Sequence, residues 1–321
     1  MRRRRSSFEA QNAQTLAQAA PDAVAFDSPS NGRGIKGEHA RGNGWQTFWN
    51  RGSWWKALLL VVVYWGAYQL IGLGTSTLFH PFIDVKNPLA SPTAIFFTVA
   101  LPVIIAGGLL FLFAVSLGWA RELFGRQPVP GRPWMWVAVV LVLIPVVIRL
   151  IAARWEAYSV STVLTLLFLG LCIGFAEELL TRGFVVKMLR DGGHGEKLVL
   201  VLSSGYFALL HAGNALTGQP LQTVLVTVAY TFGFGAMMYL SLRATGRLVW
   251  AMLLHAATDP TTMLATGGID THTAAASTSQ GLLSIAGLFS FVYIAVALLA
   301  IMLVKNRVDR GAAAPDRATA E

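Results

Sequence analysis

Charge is what this chain has least of. Only 13% of its 321 residues are Asp, Glu, Lys or Arg, against about 25% in an ordinary soluble domain. So few charges cannot clothe a globule of this size in water. The mean hydropathy of +0.56 agrees, and the expectation is a polytopic membrane protein. Cysteine is almost missing as well. A lone Cys172 excludes an internal disulfide framework. Acids are outnumbered by bases, 16 to 25, giving a net charge of +9. That excess sits in the tails and in alternate loops, which is a topology signal rather than a nucleic-acid footprint, so no nucleic-acid partner is expected. The opening Met-Arg-Arg-Arg-Arg-Ser-Ser leads into polar sequence with no apolar core, and a cleavable signal peptide is not expected.

Apolar runs are what the chain has in abundance. Residues 1–52 are polar and lack helical or strand periodicity, which predicts a disordered basic cytosolic tail. Beyond Trp54, eight segments approach the roughly 20 apolar residues needed to cross the hydrocarbon core. They lie near 56–79, 93–118, 134–153, 159–186, 197–214, 221–242, 248–266 and 281–304. The predicted fold is all-α: a polytopic transmembrane bundle of about eight helices around an internal polar cavity. Residues 53–157 supply its N-terminal helices, 158–305 a second core, and 306–321 a cytosolic tail. Arg121, Arg126 and Arg132, then Lys187, Arg190 and Lys197, then Arg243 and Arg247 fall in alternate loops. Positive-inside counting therefore puts both termini in the cytoplasm of a multi-pass cell-membrane protein. Arg149 and Arg154, near the end of the third segment, are expected to snorkel to the outer interface. Gly170-Leu-Cys-Ile-Gly174 and Gly233-Phe-Gly235 mark places where helices approach closely.

Three stretches break the apolar pattern. They are Glu177-Glu178-Leu-Leu-Thr-Arg182, Phe207-Ala-Leu-Leu-His211 and His255-Ala-Ala-Thr-Asp259. An ionisable group at membrane depth costs free energy unless it is paired or faces a polar cavity, so each stretch is a functional candidate. On a helix Glu178 and Arg182 share a face, whereas Glu177 points about 100° away. This spacing predicts a Glu178–Arg182 pair with Glu177 left to face a cavity, placed to activate water. Phe207 stands one turn before His211, where its ring can pack beside the imidazole. His255 and Asp259 also share a face and suit either a metal or a catalytic imidazole with its orienting acid. Pro260 follows at once, and a broken backbone ladder at membrane depth belongs beside a cavity. Counted from the nearest basic loops, Glu177, His255 and His211 lie roughly 15, 12 and 21 Å in. The alternative readings are, in turn, an interfacial salt-bridge cluster that anchors the cytosolic end of a helix, a satisfied core or interface histidine, and a polar pair stapling helix to helix.

In order and spacing, EExxxR, FxxxH and HxxxD resemble the signature of the CAAX protease and bacteriocin-processing family of intramembrane proteases, also called the Abi family. The likeness covers roughly residues 158–270. It implies a membrane endopeptidase acting on a protein or peptide, in CAAX-type maturation or bacteriocin-related processing, with 158–305 as the catalytic core. By that resemblance Glu177 is the base and His211 its partner, while His255 and Asp259 stabilise the oxyanion. Glu178, Arg182 and Phe207 support them. The eukaryotic pattern has Asn where this chain has Asp259. An ionised carboxylate cannot donate to an oxyanion, so Asp259 acts protonated, orients His255 or binds a cation. No cofactor is required by these motifs. Glu177, His211, His255 and Asp259 would also serve a divalent metal such as zinc. The competing function is a non-catalytic membrane scaffold or immunity protein that uses the same cluster for binding. Partners expected on either reading are a protein or peptide and membrane lipid.

Overall fold

The computed structural model describes residues 43–84, 87–89, 91–266 and 280–306. Its helices are α1 (Gly44–Asn50), α2 (Trp54–Leu78), α3 (Pro92–Leu117), α4 (Ala120–Leu123), α5 (Pro133–Ala152), α6 (Val160–Asp191), α7 (Glu196–Leu216), α8 (Leu221–Thr245), α9 (Leu248–Thr266) and α10 (Gln280–Leu303). Among the described residues there is no strand, only an isolated bridge between Arg126 and Arg247. The protein is thus a polytopic helical bundle, as its composition predicts.

Seven helices, α2, α3, α5, α6, α7, α8 and α10, are long and apolar enough to cross a membrane. The expected eighth, α9, forms over the predicted residues 248–266 but falls short of that apolarity. His255, Thr258, Asp259, Thr261 and Thr262 dilute it. Burial compensates: Leu248, Ala251, His255, Thr258 and Ala265 are all enclosed by protein. A helix shielded by its neighbours can carry polar groups that a lipid-facing helix cannot.

The predicted unstructured tail over 1–52 ends sooner than expected. Asn43 caps α1 by accepting from the Gln46 backbone N–H at 2.9 Å, and Trp49 packs edge-on against Phe113, with centroids 5.2 Å apart. Residues 1–42 and the C-terminal tail beyond 306 lie outside the described residues.

Two glycines decide how α6 meets α9. A Cβ on Gly170 would lie 2.5 Å from the Ala256 carbonyl oxygen, and one on Gly174 would lie 2.5 Å from that of Met252. Only glycine permits this approach, and lipid supplies no hydrophobic drive that could hold the helices together at a distance. The expected small-residue contact is therefore real. It brings the carboxylates of α6 against the histidine of α9.

After Glu178 the α6 ladder widens into a π-turn over Leu179–Val185, then resumes. Every residue of the turn is buried, and such turns are frequent at functional sites.

A second polar cluster joins α6, α7 and α8. Glu196 takes Arg190 in a bidentate pair, Nε at 2.7 Å and Nη2 at 2.9 Å. Its second oxygen also accepts from Arg243 Nη1 at 2.5 Å and from the Tyr239 hydroxyl. The arginines continue outward, to Gln127 Oε1 at 2.8 Å and the Pro130 carbonyl at 2.9 Å. Arg190 and Arg243, counted above as loop charges, are in fact buried.

Candidate active site

The site is assembled from α6, α7 and α9 around the carboxylate of Glu178, which is wholly buried. Its Oε1 accepts from Arg182 Nη1 at 3.2 Å, the pair that the spacing predicts. The same oxygen accepts from His255 Nδ1 at 2.8 Å, a contact that the sequence reading missed. Arg182 is braced in turn, donating through Nη2 to the Gly235 carbonyl at 2.7 Å and lying 4.7 Å from the centre of the Phe207 ring. Phe207 therefore touches both histidines and the guanidinium, with centroids 5.0 Å from His211 and 5.7 Å from His255. Phe234 closes the far side of His255 at 5.0 Å, edge to face.

Glu177 points elsewhere, as expected from its 100° offset. With His211, His255 and Asp259 it lines one cavity of about 590 Å³, from which Glu178 and Arg182 are set back. His255 Nε2 lies 3.4 Å from Asp259 Oδ2 and 3.8 Å from Glu177 Oε2. One imidazole is thus held from behind by Glu178 through Nδ1 and turned toward the cavity acids through Nε2. His211 Nδ1 lies 3.1 Å from the Phe207 carbonyl. A carbonyl only accepts, so Nδ1 holds a proton, and in that tautomer the lone pair of a neutral ring lies on Nε2.

The structure brings together all four residues assigned to the chemistry. Sequence reasoning overlooked much of the rest of the wall. Tyr64 and Tyr68, one turn apart on α2, line it with Tyr230 of α8. Arg149, expected to snorkel outward, is instead 9% exposed and also lines the cavity. A basic residue inside an apolar run was the available signal. Arg154 does reach the surface, where it pairs with Glu156 at 3.3 Å.

A divalent metal is the cofactor that these donor types suit. The chemistry is right, because an imidazole backed by a carboxylate is how metal-bound histidines are usually oriented. The grouping is not. Among the described residues no three His, Cys, Asp or Glu side chains are gathered to hold an ion.

Residues 159–261 match the family described as Type II CAAX prenyl endopeptidase Rce1-like. The matched segment holds every motif residue from Glu177 to Asp259. No curated protein and no solved structure gives a match. The ordered motifs, the shared cavity and the multi-pass helical bundle thus accompany a segment, residues 159–261, that is similar to the Rce1-like type II CAAX prenyl endopeptidases.

Proposed function

We propose that this protein hydrolyses a peptide bond of a protein or peptide substrate inside the bundle, with Glu177 and His211 activating the attacking water. The observation that carries this reading is the shared wall: Glu177, His211, His255 and Asp259 border one cavity, and Glu178 fixes His255 from outside it. Water held between the Glu177 carboxylate and the bare Nε2 of His211 loses its proton to one of them as its oxygen bonds to the scissile carbonyl carbon. Negative charge then develops on the carbonyl oxygen, and a donor already aimed there stabilises it without reorganisation. His255 Nε2–H is that donor. Asp259, 3.4 Å from the same nitrogen, orients the ring and offsets its charge, which is a role open to an ionised carboxylate where donation is not. Collapse of the intermediate breaks the C–N bond, and the proton taken from water goes to the leaving amine. The product carries a new carboxylate.

Both termini are assigned to the cytoplasm of the cell membrane, following the alternation of basic loops. The family description makes a prenylated CAAX-type C-terminus the first substrate to try. The test uses the full chain in lipid nanodiscs with an S-farnesyl-cysteine peptide that carries three residues after the cysteine. Mass spectrometry should find cleavage by the wild type, and a loss of about 10²–10⁴-fold in Glu177→Gln. Equal turnover by wild type, Glu177→Gln and His255→Ala would sink the proposal.

A further inference from the structure

Arg149 is a charge with no visible purpose. It sits near the end of α5, is 9% exposed, and has a buried Nη1 without a hydrogen-bond partner. Among the described residues no acid lies within ion-pair distance of it. Leaving a buried guanidinium unmatched is costly, and an ionisable group at this depth usually marks a binding function. Its side chain borders the cavity that holds Glu177, His255 and Asp259. The cavity therefore contains a fixed positive group that the hydrolytic chemistry does not use.

Its position follows from how α5 and α9 lie together. Gln127 N–H donates to the Gly246 carbonyl at 2.9 Å just before the two helices begin. At their other ends Ala152 and Ala265 share a buried cluster. The helices are thus parallel, and Arg149, one turn before Ala152, stands level with Thr262. That is three residues beyond Asp259 and seven beyond His255, or roughly 5 and 10 Å along the axis. Side chains on a helix tilt toward its N-terminus, which here means toward the level of Asp259. Three extended residues span at most about 10–11 Å. A peptide whose scissile bond sits at Glu177 and His255 thus ends, three residues on, beside the guanidinium.

We propose that Arg149 is the carboxylate-binding residue of the cavity, pairing with the C-terminal carboxylate of the substrate. This rests on the proteolytic reading above. A guanidinium is suited to the task because it meets a carboxylate through two parallel N–H···O bonds, and its charge does not titrate away. The pairing supplies the missing partner of Nη1 and measures the distance from the chain end to the bond that is cut.

The test compares one S-farnesyl peptide in two forms, with a terminal carboxylate and with a terminal carboxamide. Wild-type protein in nanodiscs should cleave the acid form with a kcat/KM at least about tenfold higher, the size expected for a charged hydrogen bond. Arg149→Gln should bring that ratio close to one by slowing only the acid form, and Arg149→Lys should keep part of it. Binding of the same two peptides to Glu177→Gln protein, with and without Arg149→Gln, gives a readout that needs no turnover. A preference for the acid form that vanishes with Arg149 supports the inference even if no peptide is cut, in which case only the proteolytic reading fails. Equal handling of acid and amide by wild type overturns it. So does a preference that survives Arg149→Gln, or one that follows an internal aspartate instead of the terminus.

Discussion

Two buried carboxylates in this molecule, Glu196 and Glu178, are surrounded by the same kinds of groups and put to opposite uses. Both oxygens of Glu196 are engaged, by two arginines and a tyrosine. Glu178 spends one oxygen on Arg182 and His255 and leaves the other without a partner. The first arrangement closes on itself and ties three helices. The second stays open toward the cavity, because its histidine passes the contact on to Asp259 and Glu177. A carboxylate with both oxygens engaged holds position, whereas one with an oxygen left over remains able to bind and react. Partial satisfaction is unfavourable in the core of a protein unless the function repays it.

The comparison can be broken from either side. Its largest predicted effect is on the open cluster, where Glu177→Gln should cost about 10²–10⁴ in turnover while the midpoint of thermal unfolding stays near that of the wild type. On the closed cluster, Glu196→Ala strands Arg190 and Arg243, and should lower stability by about 3–5 kcal/mol. Unfolding in mixed micelles measures that loss, with the turnover of the remaining folded protein unchanged. Glu178→Gln separates the two uses within one residue: loosening His255 should cost up to about 10²-fold in kcat through misplacement, with a smaller stability loss than Glu196→Ala. If Glu178→Gln lost stability alone, the distinction between the clusters would collapse. Gly174→Ala tests the contact beneath the open cluster, and should cost about 1–3 kcal/mol by pushing α6 from α9.

Smaller effects sharpen the contrast. Turnover should stay within about twofold in 1,10-phenanthroline, since none of the proposed steps uses a metal. Loss of activity restored by zinc would instead make ligands of His211 and His255. At the surface, a backbone N–H at Glu156 and then Arg154 hold the Glu156 carboxyl below its ordinary range. A depressed carboxyl contributes stability above its unfolded value and loses it as pH falls through the folded one. The pair is exposed to solvent and screened, so Glu156→Gln should leave the pH profile of unfolding almost unmoved.

How far the residues foretold this architecture depended on range. Periodicity and length located each membrane helix, and the four-residue spacing of Glu178 with Arg182 and of His255 with Asp259 foretold contacts within single helices. The GxxxG spacing named the face of α6 that meets α9. Contacts between helices were harder to see. Glu196 finds Tyr239 and Arg243 more than forty residues away, Glu178 finds His255 seventy-seven away, and no local pattern encodes such pairings. Arg149 was misread because snorkelling is the usual fate of a basic residue near a helix end. Only the packing of α5 against α9 and α10 determines which way it turns. The tail was misread by ten residues because α1 takes its order from Phe113 and other distant contacts, not from its own short sequence.

The π-turn after Glu178 also constrains length. A turn of this kind is an α-helix with one residue too many, held in place by its neighbours. Deleting a single residue from Leu179–Val185 would restore the regular ladder with little rotation of the flanking segments, because the wider turn already absorbs that residue, whereas a deletion elsewhere in α6 rotates one side by about 100° relative to the other. A deletion of that second kind would turn Glu177 from the cavity and Glu178 from His255, or take Arg190 out of the Glu196 cluster. The chain should therefore tolerate loss of one residue within this turn better than loss of one from the regular ladder on either side of it.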